Sequence, residues 1–94
     1  MIQMKWEREI EEKFKLMISK IPLFHRRMAE SAVIKRAEEN AGMRGAQVVQ
    51  EADVISAFFS DVPIPFYSMM VRLMDQTGLD YRRYGFPKNG KAAQ

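Results

Sequence analysis

The residues whose types and spacing come closest to a chemical site are His25, Arg26 and Arg27. They follow a proline corner in the run I-S-K-I-P-L-F-H-R-R-M, residues 18–28. The pattern reads as the end of one helix, a hinge at Pro22 and the start of another. The first turn of a helix carries partial positive charge, so each exposed cation there costs about 0.3–1 kcal/mol. Something must offset this choice. One reading is an anion site, in which the free backbone N–H groups of that turn and two guanidinium groups receive a phosphate or carboxylate. The other is architectural: the arginines pair with Glu7 or Glu11 on the preceding helix, or with Glu30 one turn on, and pin the corner. His25 is the only histidine. His25 and Met28, at i,i+3, share a helix face and cannot approach a metal from opposite sides, and one histidine without cysteine or clustered carboxylates is a poor metal site. No Ser-His-Asp or paired-carboxylate pattern is present. No catalytic residue, metal or cofactor is therefore assigned.

Two further stretches carry binding chemistry. Phe66, Met69, Met70, Leu73 and Met74 repeat at i, i+3, i+4, i+7 and i+8, a helical stripe that reads as a core face or as an adaptable surface. Methionine is flexible and polarizable, and the chain holds eight. The stripe could cover an apolar pocket or form a homodimer contact. Tyr81-Arg82-Arg83-Tyr84-Gly85-Phe86 interleaves aromatics with arginines. It could stack the bases of a single strand, or fold its rings back on the bundle and leave the arginines in water. The binding residues expected are Arg26, Arg27, His25, Met69, Met70 and Leu73.

The elements that must position these groups are helical. Trp6, Ile10, Phe14, Met17 and Ile18 form one stripe over residues 5–19. The opposite face pairs Arg8 with Glu12, Glu9 with Lys13 and Glu11 with Lys15 at i,i+4. Pro22 disfavours helical geometry at Ile21 and suits the first turn of a new helix. That second helix is expected over Pro22–Asn40, burying Phe24, Met28, Ala32, Val33 and Ala37, with Gly42 as its left-handed stop. A third helix is expected over Gln50–Ser60, with Glu51 and Asp53 in a first turn that favours negative charge. Pro63 and Pro65 then break the chain, and a fourth helix over Phe66–Thr77 ends at Gly78, where Leu79 is placed to contact Met74. No alternating run argues for a sheet. From Tyr81 the pattern is lost, and residues 88–94, KNGKAAQ, are expected to be disordered. The fold class expected is all-α: three to four helices joined by Pro/Gly corners, forming one domain over residues 1–80 with a basic aromatic tail at 81–94.

Composition bounds the function. Ninety-four residues with 47% hydrophobic content suffice for one small core. A net charge of +3, from 15 basic and 12 acidic residues, permits an acidic partner without demanding one. The absence of cysteine excludes disulfides and thiolate-held metals within the chain. No apolar run reaches the ~18 residues of a membrane span, and the start, MIQMKWEREIEEK, has no signal-peptide core. The expected setting is cytoplasmic.

One combination of residues resembles a known module. Trp6 is followed, after fourteen intervening residues, by I-P-x-F-x-R (Ile21, Pro22, Phe24, Arg26), then by Ala37 and Gly42, and by V-x4-V-x-x-A at Val49, Val54 and Ala57. This resembles the C-terminal domain of the B subunit of light-independent protochlorophyllide reductase, the PCP reductase domain family, over residues 6–60. The chain departs from that pattern at Ile34, where the family often has Glu, and at Gln50, where it has a Thr cap; the family's Gly also falls one residue earlier. The helix at 66–77 and the tail lie outside the resemblance. It implies a compact helical domain that is an appendage in the large enzyme. The core that does the electron chemistry there is absent, so what carries over is a binding role. The expectation is a non-enzymatic module that binds a partner protein, with a homodimer as one form. The alternatives are a tetrapyrrole or other flat anionic ligand, and nucleic acid bound through the tail.

Overall fold

Trp6 belongs to the apolar stripe of the first helix but not to the helix. In the computed structural model, which describes residues 2–86, Lys5–Trp6 form a two-residue strand, β1. It pairs in parallel with β2, Val48–Val49, in the register Lys5 to Val48 and Trp6 to Val49. This corrects the expectation that no strand forms. Two residues per strand are too few to show alternation, and the pairing joins segments more than forty positions apart. The chain is otherwise a helical bundle, as expected, of four α-helices among the described residues: α1 (Arg8–Ser19), α2 (Leu23–Met43), α3 (Glu51–Asp61) and α4 (Tyr67–Thr77). Short 3-10 turns lie at Ile64–Phe66 and Tyr81–Tyr84.

The core forms where the helix stripes meet. Ile10, Phe14, Met17 and Ile18 of α1 are buried, with Phe14 against Trp6 at a ring separation of 5.1 Å and against Phe58 of α3 at 6.0 Å. The long helix α2 packs most extensively on α3, through Val33, Ile34, Ala37 and Ala41. These small and β-branched side chains let the two helices approach closely. Met70, Leu73 and Met74 of α4 close the core from the other side.

The start of α2 differs from expectation. Phe24 and Met28, read as part of its buried stripe, are 85% and 78% exposed. At about 100° per residue the buried Val33, Ile34, Ala37 and Ala41 share one arc of α2, whereas Phe24 falls opposite Val33 and Met28 lies outside the arc, so neither joins the core. The end of α2 differs too. The helix runs through Gly42 to Met43, and Gly45 takes the left-handed conformation, with φ of 75°. The Ala46 N–H then donates to the Ala41 carbonyl at 2.9 Å and the Gly45 N–H to the Gly42 carbonyl at 3.0 Å, a Schellman closure.

At α3, Gln50 is the N-cap, and its backbone N–H donates to the Asp53 carboxylate at 2.9 Å. Asp53, only 4% exposed, also receives Arg44 from the end of α2 at 2.6 and 2.9 Å, so one buried carboxylate ties α2 to the start of α3. At the end of α4, Gly78 is left-handed and the Leu79 N–H donates to the Met74 carbonyl at 3.1 Å, as the sequence predicts. The packed unit continues past residue 80. Tyr81 is fully buried, and Phe86 stacks on Phe59 at 4.3 Å. Residues 88–94, expected to be disordered, lie outside the described residues.

Candidate functional site

The corner that opened the sequence question is built around Arg26. Its Nη2 donates to the Ser19 carbonyl at 2.9 Å and to the Ile21 carbonyl at 3.0 Å, and its Nε donates to Ile21 at 3.2 Å. These are carbonyls at and just beyond the C-terminus of α1, where partial negative charge favours a cation. The remaining carbonyls of that last turn are also satisfied: Leu16 accepts from the Ser19 hydroxyl, Met17 from the Lys20 N–H and Ile18 from the Ile21 N–H. A cation at the start of α2 is thus compensated by the end of α1. The expected pairing with Glu7, Glu11 or Glu30 does not occur: Glu7 receives the Gln50 side chain, Glu11 pairs with Lys15, and neither Arg26 nor Arg27 forms an ion pair among the described residues. Arg27 is exposed.

Beside this corner lies an apolar cleft of about 280 Å³. Met17 and Ile21 from the end of α1 form its base. One wall is α2, with His25, Met28, Ala29, Ala32 and Val33; the other is α4 and the turn before it, with Phe66, Met69, Met70 and Leu73. Phe58, Val62 and Pro63 close the end at α3. The cleft exists because α2 and α4 bury their stripes against α1 and α3 at one end, while no element among the described residues lies between them at the other.

Four of the six residues singled out from sequence meet here: His25, Met69, Met70 and Leu73 line the same cleft. Arg26 and Arg27 do not line it. Arg27 falls about 200° around α2 from His25, on the outer side of the helix. The His25 ring contacts Phe24 at 4.2 Å and Phe66 at 5.9 Å, bridging the two walls at the mouth. Of the lining, Met28 and Phe66 are 78% and 42% exposed, and Phe24 and Ile64, next in sequence to the lining residues His25 and Pro63, are 85% and 74% exposed. Sequence reasoning missed Met28, Ile64 and Phe24 as surface residues. The available signal was angular: at about 100° per residue Phe24 falls opposite Val33 on α2, and Met28 falls outside the arc of Val33, Ala37 and Ala41.

The chemistry of the lining is plain. Its only ionisable groups are His25 and Asp61, and Asp61 accepts from Arg36 Nε and the Ser60 hydroxyl, both at 3.0 Å. Among the described residues no group of three His, Cys, Asp or Glu side chains could hold a metal ion, and no helix is long and apolar enough to cross a membrane. The cleft offers shape and apolar contact.

The tail residues are used internally. Tyr81 is buried with its hydroxyl 3.4 Å from Asp75; Tyr84 donates to Glu51 at 2.9 Å; Arg82 pairs with Asp75 at 3.4 Å. Against this geometry, comparison with protein-family models, with curated proteins and with solved structures finds no match to the chain.

Proposed function

We propose that this chain is a cytosolic, non-enzymatic interaction module that docks an apolar segment of a partner protein in the cleft between α2 and α4. The observation that carries this reading is the exposed apolar surface around the cleft mouth, where Phe24, Met28 and Ile64 are each more than 70% exposed beside a concave apolar floor. Contiguous exposed apolar area of this kind on a small protein marks an interaction site. The resemblance to the PCP reductase domain supports the same reading. Trp6, Ile21, Ala37, Val49, Val54 and Ala57 of the shared pattern are buried, while Phe24, its other large apolar residue, stands at the cleft mouth. A flat anionic ligand has less support, because neither corner arginine lines the cleft. Nucleic acid has less still, because Tyr81 and Phe86 are engaged within the bundle.

The test is site-specific photo-crosslinking in the host cell, with a benzophenone amino acid at Phe24 or Phe66, or at exposed Arg8 as control. A discrete protein adduct from the two mouth positions, absent from Arg8 and reduced about tenfold by Met69→Glu, is the expected result. No adduct, or the same adducts from all three positions, would overturn the proposal.

A further inference from the structure

Phe24 and the cleft stand side by side as a knob and a hole. The Phe24 ring lies 4.2 Å from the His25 ring, and His25 lies 5.9 Å from Phe66 on the opposite wall. Phe24 therefore flanks the mouth, yet it does not line the cleft and is 85% exposed. Met28 follows at i+4, next to Phe24 on α2, and Phe66 shares the turn before α4 with Ile64. A large apolar side chain presents roughly 150–200 Å² when fully exposed, so these four residues leave about 500 Å² of apolar surface uncovered. The hole suits the knob. A cavity of about 150 Å³ holds a benzene ring, and the cleft, at about 280 Å³, has room for more than one phenyl ring. Met17, Met28, Met69 and Met70 line it, and methionine adapts its shape to an inserted group. Asp61, the one carboxylate of the lining, is paired with Arg36 at 3.0 Å, so two linings brought together set no bare carboxylates against each other.

Resting on the docking reading above, we infer that the partner is a second copy of this chain, related by a twofold axis that sets Phe24 of each copy in the cleft of the other. A twofold contact uses one patch twice, so that residue i meets j and j meets i. A knob and a hole on the same patch satisfy that requirement, and neither is filled without the other copy. Two such patches bring together on the order of 1,000 Å², the lower bound for a specific interface. Association at this size falls in the micromolar range.

Other occupants fit less well. Residues 87–94 of the chain itself, PKNGKAAQ, bring no large apolar side chain to fill the cleft. A membrane surface would meet the protruding Phe24 and Ile64 but leave the concave floor unfilled.

The experiment is sedimentation equilibrium of the full chain, joined to cysteine trapping. Wild type should reach twice the chain mass in the micromolar range, and Phe24→Ser should raise the dissociation constant of the dimer tenfold or more, as expected for an aromatic anchor at the centre of an interface. Phe24 is so exposed that its loss leaves the monomer fold unchanged, which circular dichroism checks; Ile64→Ser, at a second exposed position, should weaken the dimer several-fold. The chain has no cysteine, so every disulfide formed on mild oxidation joins introduced thiols. A mixture of Phe24→Cys and Met69→Cys chains should give a mixed disulfide in several-fold excess over a mixture of Arg8→Cys and Met69→Cys. Wild type that stays monomeric up to about 1 mM, a dimer that Phe24→Ser leaves intact, or equal trapping in the two mixtures would overturn the inference. The crosslinking experiment above separates the two readings. An adduct at twice the chain mass agrees with both. A monomeric wild type with an adduct of another mass leaves the docking reading standing and overturns only the second copy, whereas a monomeric wild type with no adduct overturns both.

Discussion

Glu38 fastens the N-terminal segment through a single carboxylate oxygen, which accepts from the backbone N–H of Gln3, the backbone N–H of Met4 and the Trp6 indole, each at 3.0 Å. Burial raises the pKa of this carboxyl group, but the three donors outweigh that effect and hold it below the ordinary 4.5. A folded-state pKa that lies below the unfolded value means the contribution is complete above about pH 4.5 and is lost as pH falls through the folded value. Replacing Glu38 by Gln keeps one acceptor oxygen but removes its charge, and hydrogen bonds to charged groups are the stronger kind. Glu38→Gln should therefore lower stability by about 1 kcal/mol at pH 7. Urea unfolding across pH checks this: the gap between wild type and variant stays constant above pH 5 and narrows below 4.5. A gap that does not change with pH would show that the charge contributes nothing. Asp53, in the first turn of α3, is a nearly inaccessible carboxylate that is tolerated because Arg44 and the Gln50 N–H both donate to it.

Elements were legible where a stripe met a well-defined stop, and illegible where the stop had rivals or the partner lay far along the chain. The fourth helix shows the first case: its apolar residues repeat at helical spacing and Gly78 follows at once. Gly42 and Gly45 show the second. Both satisfy the rule for a helix end, and only the hydrogen bond from Ala46 back to Ala41 selects between them. The β1–β2 pairing left no local trace at all. For the cleft, the spacing of Met69, Met70 and Leu73 on α4 was legible, whereas on α2 the step from Phe24 through Met28 to Ala32 advances only about 40° each time and does not reach the arc that buries Val33, Ala37 and Ala41. The corner between α1 and α2 turns the arginine question into a measurable difference. Arg26 makes three charged hydrogen bonds to the Ser19 and Ile21 carbonyls, so Arg26→Ala should cost about 1–2 kcal/mol, or a fall in Tm on the order of 5–10 °C for a domain of this size. Arg27 touches no acceptor, and removing a cation from the first turn of α2 should leave stability within about 0.5 kcal/mol or raise it slightly. Thermal unfolding of the two single variants tests this; equal losses would mean that the carbonyl contacts of Arg26 do not set the corner.

At the scale of the whole molecule, the four-helix unit is completed by the segment that follows it. Tyr81 sits at 0% exposure against Phe59, which also carries Phe86 stacked at 4.3 Å and Tyr67 edge-on at 5.5 Å. Glu51, in the first turn of α3, holds this segment in place by accepting from the Asp80 N–H at 3.0 Å and from the Tyr84 hydroxyl at 2.9 Å. The Gly85 turn, with the Phe86 N–H donating back to the Tyr81 carbonyl at 3.2 Å, aims the last ring at Phe59. The rings of this segment thus belong to the fold, while its arginines stay at the surface. Removing a buried aromatic costs about 3–5 kcal/mol, against a total of roughly 5–14 kcal/mol for a chain of this length. Tyr81→Ala should therefore leave the protein marginal at 37 °C, whereas Arg83→Ala, at an exposed and unpaired position, should change stability by less than about 0.5 kcal/mol. Urea midpoints for the two variants decide the matter. A Tyr81→Ala protein as stable as wild type would show that the helices close the core unaided and that the segment only rests on them. The expected large loss would make it part of the folding unit.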